Sequence, residues 1–507
     1  MYSAPAQRPA LIPAWVWITL PFLLGVWLRT RNLMGPEPFV DEGANILTAL
    51  DLRVRSAFEP LAQGRPWLIY LFQPAGWWPA QALATARLMS AGAGLATMAA
   101  LGWTLYQLAG RTAALFGLWL WAVLPLAVFH ERLALQDPFV TALLAWSVAV
   151  MTAGSLKKSV PAIWFLAAGS LFGTAFLLKI SALFALPWLG LFYFVMQRQV
   201  GRPWVDGRLS YLALGAFIPL LSLGRDLLQL GSRLDRYHAL PNFMMADTLT
   251  AAAARVPAWL SYYSGYHGWP LLILWSATAV LAVRQRHSLA LGVGLGWLTS
   301  LVVTALGYQQ IFARYLLPDQ LPLIIFLALA GSAGGKIIGQ IKILPLSLLM
   351  LVLAFWGRTS WQIGTEPRAA NIPATEITQY VTGPWSGRGL TAVCAYLHTY
   401  ADQHQVRCVI LTHRYLRPGC YGLLLAERAD PRFSIVPFTI YEPSDLTATR
   451  AGLRAVTAGQ PVAFFILYEG SLYPPPRWLE APASPAQRVA VVPRGPGEAF
   501  TLYQFTP

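Results

Sequence analysis

Long apolar runs broken by short polar turns dominate the first 358 residues of this 507-residue chain. A helix needs roughly 20 mostly apolar residues to cross a bilayer, with a working range of about 17 to 25. Eleven runs meet or approach that length: Leu11 to Leu28, Leu88 to Leu108, Thr112 to Phe129, Pro138 to Ala153, Val160 to Leu178, Ile180 to Met196, Leu209 to Leu223, Gly268 to Val283, Ser288 to Leu306, Leu316 to Ala330 and Ile343 to Trp356. The pattern predicts a mostly α-helical, polytopic transmembrane bundle of about 11 helices over residues 1–358. After Trp356 the hydrophobicity falls, and Gly364 to Pro373 reads as a linker. Helix-like stretches (Leu390 to His404, Tyr421 to Glu427) then alternate with strand-like ones (Val406 to Leu411, Ser434 to Phe438, Val462 to Tyr468, Phe500 to Gln504), predicting a small soluble α/β domain over residues 359–507.

Composition agrees: 56% of residues are hydrophobic and 12% charged, with a mean hydropathy of +0.50, too little polar surface for a soluble chain. The charge is uneven. Residues 1–358 hold 25 Lys/Arg against 12 Asp/Glu, a net +13, whereas the remainder holds 12 against 10, a net +2. The basic residues are scattered between apolar runs, which argues for topology and lipid or phosphate partners and against nucleic acid.

With the N-terminus cytoplasmic, every inner turn is basic: Arg111, Lys157 with Lys158, Arg198 with Arg202 and Arg208, Arg284 with Arg286, and Lys336 with Lys342. Of the 12 acids before residue 359, only Asp206 then lies inside. The first run is long for a signal-peptide core and leads into Arg29 and Arg31, so it reads as a retained helix. An odd number of spans places the C-terminal domain outside with the acidic loops. Its three cysteines, Cys394, Cys408 and Cys420, allow one disulfide or none, and spacing does not choose between these.

The long outer loops run from about Arg29 to Arg87 and from Arg225 to His267. The first contains two amphipathic stretches, Gly43 to Arg55 and Pro66 to Phe72, suited to interfacial helices. It also carries the adjacent carboxylates Asp41 and Glu42, which either open a helix as favourable N-terminal charges or take part in chemistry. A second acidic cluster, Glu131 through Asp137, lies in the turn after the third run, on the same membrane side. It reads either as a solvated turn with an Arg132 salt bridge or as a second part of a site. Around these acids stand cations at outer helix ends: Arg65, Arg87, Lys179 and Arg314. Each suits a phosphate; snorkelling to the surface is the alternative for Lys179. Tyr262, Tyr263, Tyr266, His267 and Trp269 are suited to stack on a sugar or to form an interfacial aromatic belt.

In order and spacing these motifs resemble the GT-C superfamily of membrane glycosyltransferases, in particular the branch of the protein O-mannosyltransferases and the lipid A aminoarabinose transferases. The resemblance spans nearly the whole chain. It is carried by Asp41-Glu42, Gly64-Arg65-Pro66-Trp67-Leu68-Ile69-Tyr70, Ala86-Arg87-Leu88, Glu131-Arg132 through Asp137, Leu178-Lys179-Ile180 and Ala313-Arg314-Tyr315-Leu316-Leu317-Pro318. Trp67 and Ile180 depart from the proline and glycine of the family pattern.

The resemblance implies a multi-pass enzyme of the cell (inner) membrane. It would move a sugar from a polyprenyl-phosphate donor, with inversion, to an acceptor hydroxyl on a glycan, lipid or protein at the extracytoplasmic face. Asp41 would be the general base. Arg65, Arg87, Lys179 and Arg314 would compete to bind the departing phosphate. Glu42 and Asp137 would orient the acceptor, hold the basic residues or bind a divalent metal ion, whose use the sequence leaves undecided. Glu131, Tyr262, Tyr263 and His267 are the candidates for acceptor or sugar contacts. The rival readings are a transporter or flippase of a lipid-linked or sugar substrate, and a non-catalytic receptor.

Overall fold

The computed structural model describes residues 14–50, 68–157, 161–203, 205–230, 250, 253–307, 312–333, 343–413, 418–427, 429–438, 461–469, 477, 479–482, 484–495 and 498–505. Among the described residues, thirteen helices lead to the C-terminal domain: α1 (Ala14–Thr30), α2 (Val40–Leu50), α3 (Ala82–Ala109), α4 (Arg111–Val123), α5 (Pro125–Glu131), α6 (Asp137–Leu156), α7 (Ile163–Leu178), α8 (Leu186–Gln199), α9 (Gly207–Leu230), α10 (Val256–Arg284), α11 (Ser288–Gly307), α12 (Gln320–Ala333) and α13 (Ile343–Thr365); short helical turns lie between some of them.

Among the described residues, five helical stretches are long and apolar enough to cross a membrane: Pro79–Ala109, Asp137–Leu156, Ile180–Gln199, Val256–Arg284 and Ser288–Gly307. The α4–α5 pair makes a sixth if its 58° bend is counted within one span. Four further expected runs are helical but shorter, and the eleventh lies in α13, so among the described residues five or six of the eleven expected spans meet the length and composition of a membrane crossing. The expected run Thr112 to Phe129 is helical but bent. Pro125 has no N–H and disfavours helical backbone in the residue before it, and Leu124 is extended (φ −62°, ψ 112°).

Small residues let two helices meet backbone to backbone. On α7, a Cβ at Gly169 would stand 2.1 Å from the Leu212 carbonyl of α9, and one at Gly173 would stand 2.2 Å from that of Ala216. This small-xxx-small spacing is the packing that apolar helices use in lipid, where no hydrophobic force separates helix from solvent. The helix ends that carry Lys179 and Arg314 are shaped by breaks. Lys179 is extended (φ −160°, ψ 120°) between α7 and a 3₁₀ turn, Ile180–Ala185. A second 3₁₀ turn, Ala313–Leu316, carries Arg314. Gly268, with φ 64°, kinks α10 just after Tyr266 and His267.

Of the two expected interfacial stretches, the first overlaps α2. This helix turns Asn45, Ile46 and Ala49 inward, and Ile46 and Ala49 pack against Phe72, Ala75, Ala82, Ala86 and Ala134. The second begins outside the described residues and continues as one helical turn, Leu68–Leu71.

The C-terminal domain contains α14 (Leu390–His404), β1 (Arg407–His413), α15 (Pro418–Glu427), β2 (Phe433–Phe438), β3 (Val462–Glu469), β4 (Ala486–Gly495) and β5 (Glu498–Phe505). The sheet order is β2-β1-β3-β5-β4, with β1 parallel to β2 and β3, and β5 antiparallel to β3 and β4. Strand alternation divides the core: Cys408, Ile410, Phe465, Leu467 and Leu502 pack with α14 and α15, while Val409, Leu411, Phe464, Ile466 and Tyr503 fill the other face. Strand β4 is missing from the sequence reading because Pro493 and two register shifts interrupt its alternation. Cys394 and Cys408 are free thiols, and burial pushes the Cys408 thiol up to about 11; the Cys420 side chain lies outside the described residues.

Candidate active site

Charged groups gather where α2, the 132–136 turn and the two 3₁₀ turns meet. Asp41 and Glu42 share the first turn of α2 but serve different partners. Glu42 reaches back to the Phe39 N–H (2.9 Å), half of a capping box. It also accepts from the Ala134 N–H (2.7 Å) and from Arg87 through Nε (2.8 Å) and Nη2 (2.7 Å). A carboxylate has about four lone-pair sites, so Glu42 is saturated. Arg87 is equally committed: its other N–H groups donate to the carbonyls of Leu33 and Pro36 (2.8 Å each) and Glu37 (3.4 Å). Both side chains are fully buried. The pair ties the first loop to α3 and to the acidic turn, which Gln136 and Asn45 also fasten through a 3.2 Å hydrogen bond.

Glu131 points into the bundle. It pairs with Arg29 at 2.5 Å, both side chains fully buried, and accepts from Trp121 Nε1 at 3.3 Å. Arg29 also donates to the carbonyls of Trp121 and Ala122 (3.1 Å each) at the bend after α4, where the last carbonyls of a helix lack their usual partners; that of Trp121 also accepts from the Leu124 N–H at 3.4 Å. Gly94 makes room: a Cβ there would stand 2.2 Å from Glu131 Oε2.

Asp41 and Asp137 differ. Asp41 Oδ2 lies 2.7 Å from Arg314 Nη1, and its side chain is 25% exposed. Arg314 Nη1 also donates to the Tyr380 hydroxyl at 3.4 Å, while its Nε has no partner among the described residues. Asp137, at the start of α6, accepts from Lys179 Nζ at 2.6 Å and lies within electrostatic reach of Arg314 and His130. The Lys179 ammonium also sits 4.3 Å from the centre of the Tyr315 ring. Thus Asp41, Asp137, Lys179 and Arg314 form one cluster, in which the Arg314 Nε has no partner among the described residues.

A wall comes from a segment that sequence reasoning did not single out. Just beyond α13, the turn Ala374–Ile377 and the π-helical turn Thr378–Thr382 bring Glu376 and Tyr380 onto the cluster. Glu376 Oε2 accepts from Tyr266 at 2.8 Å and lies 3.2 Å from His130 Nε2. Burial pushes the Tyr380 phenol well above its ordinary range, so it stays a donor. The same face docks on the C-terminal domain, where Glu37 accepts from the Gly389 (2.6 Å) and Thr391 (2.8 Å) N–H groups at the start of α14. The only sequence signal for Glu376 was an acid near the end of the linker.

The remaining candidates stand apart. Tyr263 lies inside the bundle, its hydroxyl accepting from Gln320 Nε2 (3.0 Å) and Trp297 Nε1 (3.4 Å). The His267 ring packs beside Trp356, and its carbonyl accepts from the Trp356 indole at 3.0 Å. Tyr262 borders Thr375 and Glu376. Arg65 lies outside the described residues.

A divalent metal needs free oxygen ligands, and saturated Glu42 has none to give. Among the described residues, one group of potential metal ligands gathers its ligand atoms within 4.8 Å of one another: His398, Glu427 and Asp430 in the C-terminal domain. There Arg432 already supplies the cation, bonding Asp430 at 2.6 Å and His398 Nδ1 at 2.9 Å.

No protein-family model and no curated protein matches the sequence. The structure is similar to that of ArnT from Cupriavidus metallidurans. In the apo state the TM-score is 0.57, and bound to undecaprenyl phosphate it is 0.55; in both, identity is 15% over 96% of this chain and 97% of that one. The Archaeoglobus fulgidus oligosaccharyltransferase in complex with Zn and sulfate aligns more loosely, with a TM-score of 0.46 and 14% identity over 89% of this chain and 67% of the other. The ArnT likeness, end to end on both chains, shows that this chain shares the fold of that protein.

Proposed function

We propose that the chain is a glycosyltransferase of the cell (inner) membrane that moves a sugar from a polyprenyl-phosphate donor to an acceptor hydroxyl at the extracytoplasmic face, with inversion. The observation that carries this reading is the Asp41–Arg314 pair, in which a partly exposed carboxylate lies 2.7 Å from a guanidinium whose Nε is unpartnered among the described residues. The ArnT structure bound to undecaprenyl phosphate supports the donor class.

In this reading the acceptor oxygen attacks the anomeric carbon and its proton passes to Asp41. The bond from the anomeric carbon to the phosphate oxygen breaks, and the electron pair stays on the phosphate. Arg314 and Lys179 receive that charge, the guanidinium as a planar fork and the ammonium as a point charge. One displacement without a covalent sugar intermediate inverts the anomeric centre. Asp137 holds Lys179, and Glu42 with Arg87 fixes the loop that presents Asp41.

The test is transfer by the purified, membrane-reconstituted chain from a panel of radiolabelled polyprenyl-phosphate sugars to membrane extracts, with the anomeric configuration of the product read by glycosidase sensitivity. Label transferred with inverted configuration supports the reading. Retention overturns the single displacement. Movement of intact lipid-linked sugar across the bilayer without transfer supports the transporter reading.

A further inference from the structure

Ser300 of α11 is buried and lies between the two turns that carry the cations. Its hydroxyl is 3.3 Å from the Phe184 carbonyl, in the 3₁₀ turn that follows Lys179, and it is hydrogen-bonded to Asp319 Oδ1, just past the turn that carries Arg314. A hydroxyl has one proton and cannot donate to two acceptors. An ionised Asp319 would therefore compete with the Phe184 carbonyl for it. Asp319 is also 2% exposed, forms no ion pair among the described residues, and has the hydroxyls of Ser300 and Thr304 beside its carboxyl, Oδ2 having no described hydrogen-bond partner. A buried carboxylate without a cation is costly, whereas a carboxylic acid supplies the missing proton.

We propose that Asp319 is a neutral acid that donates to Ser300, that Ser300 donates to the Phe184 carbonyl, and that this chain of hydrogen bonds sets the spacing of Arg314 and Lys179. Asp319 and Ser300 are positioning residues in this account. The positioning role rests on the proposed lipid-phosphate chemistry; the protonation of Asp319 does not.

The experiment uses the full chain in lipid nanodiscs. Infrared difference spectra of wild type against Asp319→Asn are expected to show a protonated-carboxyl C=O band that the variant lacks. In parallel, binding of radiolabelled undecaprenyl phosphate is expected to stay within about twofold of wild type in Asp319→Asn, whose amide still donates to Ser300. It is expected to weaken about 3- to 10-fold in Asp319→Ala and Ser300→Ala, the loss of one hydrogen bond in the chain. Absence of the band overturns the neutral acid, and this arm needs only the folded Asp319→Asn protein. Equal loss of binding in Asp319→Asn and Asp319→Ala overturns the donor role. If wild type binds no undecaprenyl phosphate, the proposed donor class and the positioning role both fail, while the band still decides the protonation of Asp319.

Discussion

Two kinds of buried ion pair stand side by side at this end of the bundle. Arg87–Glu42 and Arg29–Glu131 are fully buried, and each cation also bonds backbone carbonyls; in the first pair no donor or acceptor remains free. Arg314–Asp41 is incomplete, with a carboxylate 25% exposed and a guanidinium Nε that has no described partner. Saturation suits a group to holding shape, and spare capacity suits it to receiving a ligand. Adjacent acids in sequence, Asp41 and Glu42, fall on opposite sides of that division.

The largest expected effect comes from breaking a saturated pair. Arg87→Ala leaves Glu42 charged and buried, and is expected to lower stability by about 3–5 kcal/mol, read as a fall in the thermal midpoint of the detergent-purified protein. Arg314→Ala sharpens the contrast: transfer is expected to fall about 10²- to 10³-fold, the usual loss for one donor to developing negative charge, with a much smaller change in midpoint. Tyr380→Phe removes one hydrogen bond to Arg314 and is expected to reduce transfer by about 2- to 10-fold. At the bottom of the scale, Asp402→Asn breaks an exposed contact with Arg432 in the C-terminal domain and is expected to leave the midpoint unchanged.

Much of the fold was legible because apolar runs and strand alternation follow from burial alone. The break at Leu124–Pro125 was written in the proline but was overridden in the reading by hydrophobicity on both sides. Strand β4 was hidden by its irregular register. At the candidate site, Asp41, Asp137, Lys179 and Arg314 stood out as charges at the ends of apolar segments, but their pairing did not, because contacts between distant segments, Asp137 with Lys179 and Asp41 with Arg314, leave no local trace. The commitment of Glu42 to Arg87 and to the Ala134 N–H, partners on other segments, was invisible for the same reason. Glu376 and Tyr380 lie just beyond the stretch Gly364 to Pro373 that reads as linker; only the fold carries them onto His130 and Arg314.

The division between shape and chemistry is tested most directly by comparing Asp41→Asn with Glu42→Gln in one preparation, measuring the thermal midpoint and sugar transfer from a polyprenyl-phosphate donor. Asp41→Asn is expected to stay folded while transfer falls about 10²- to 10⁴-fold, and Glu42→Gln is expected to lose midpoint, with transfer falling only as folded protein is lost. Wild-type transfer by a folded Asp41→Asn protein would contradict the account.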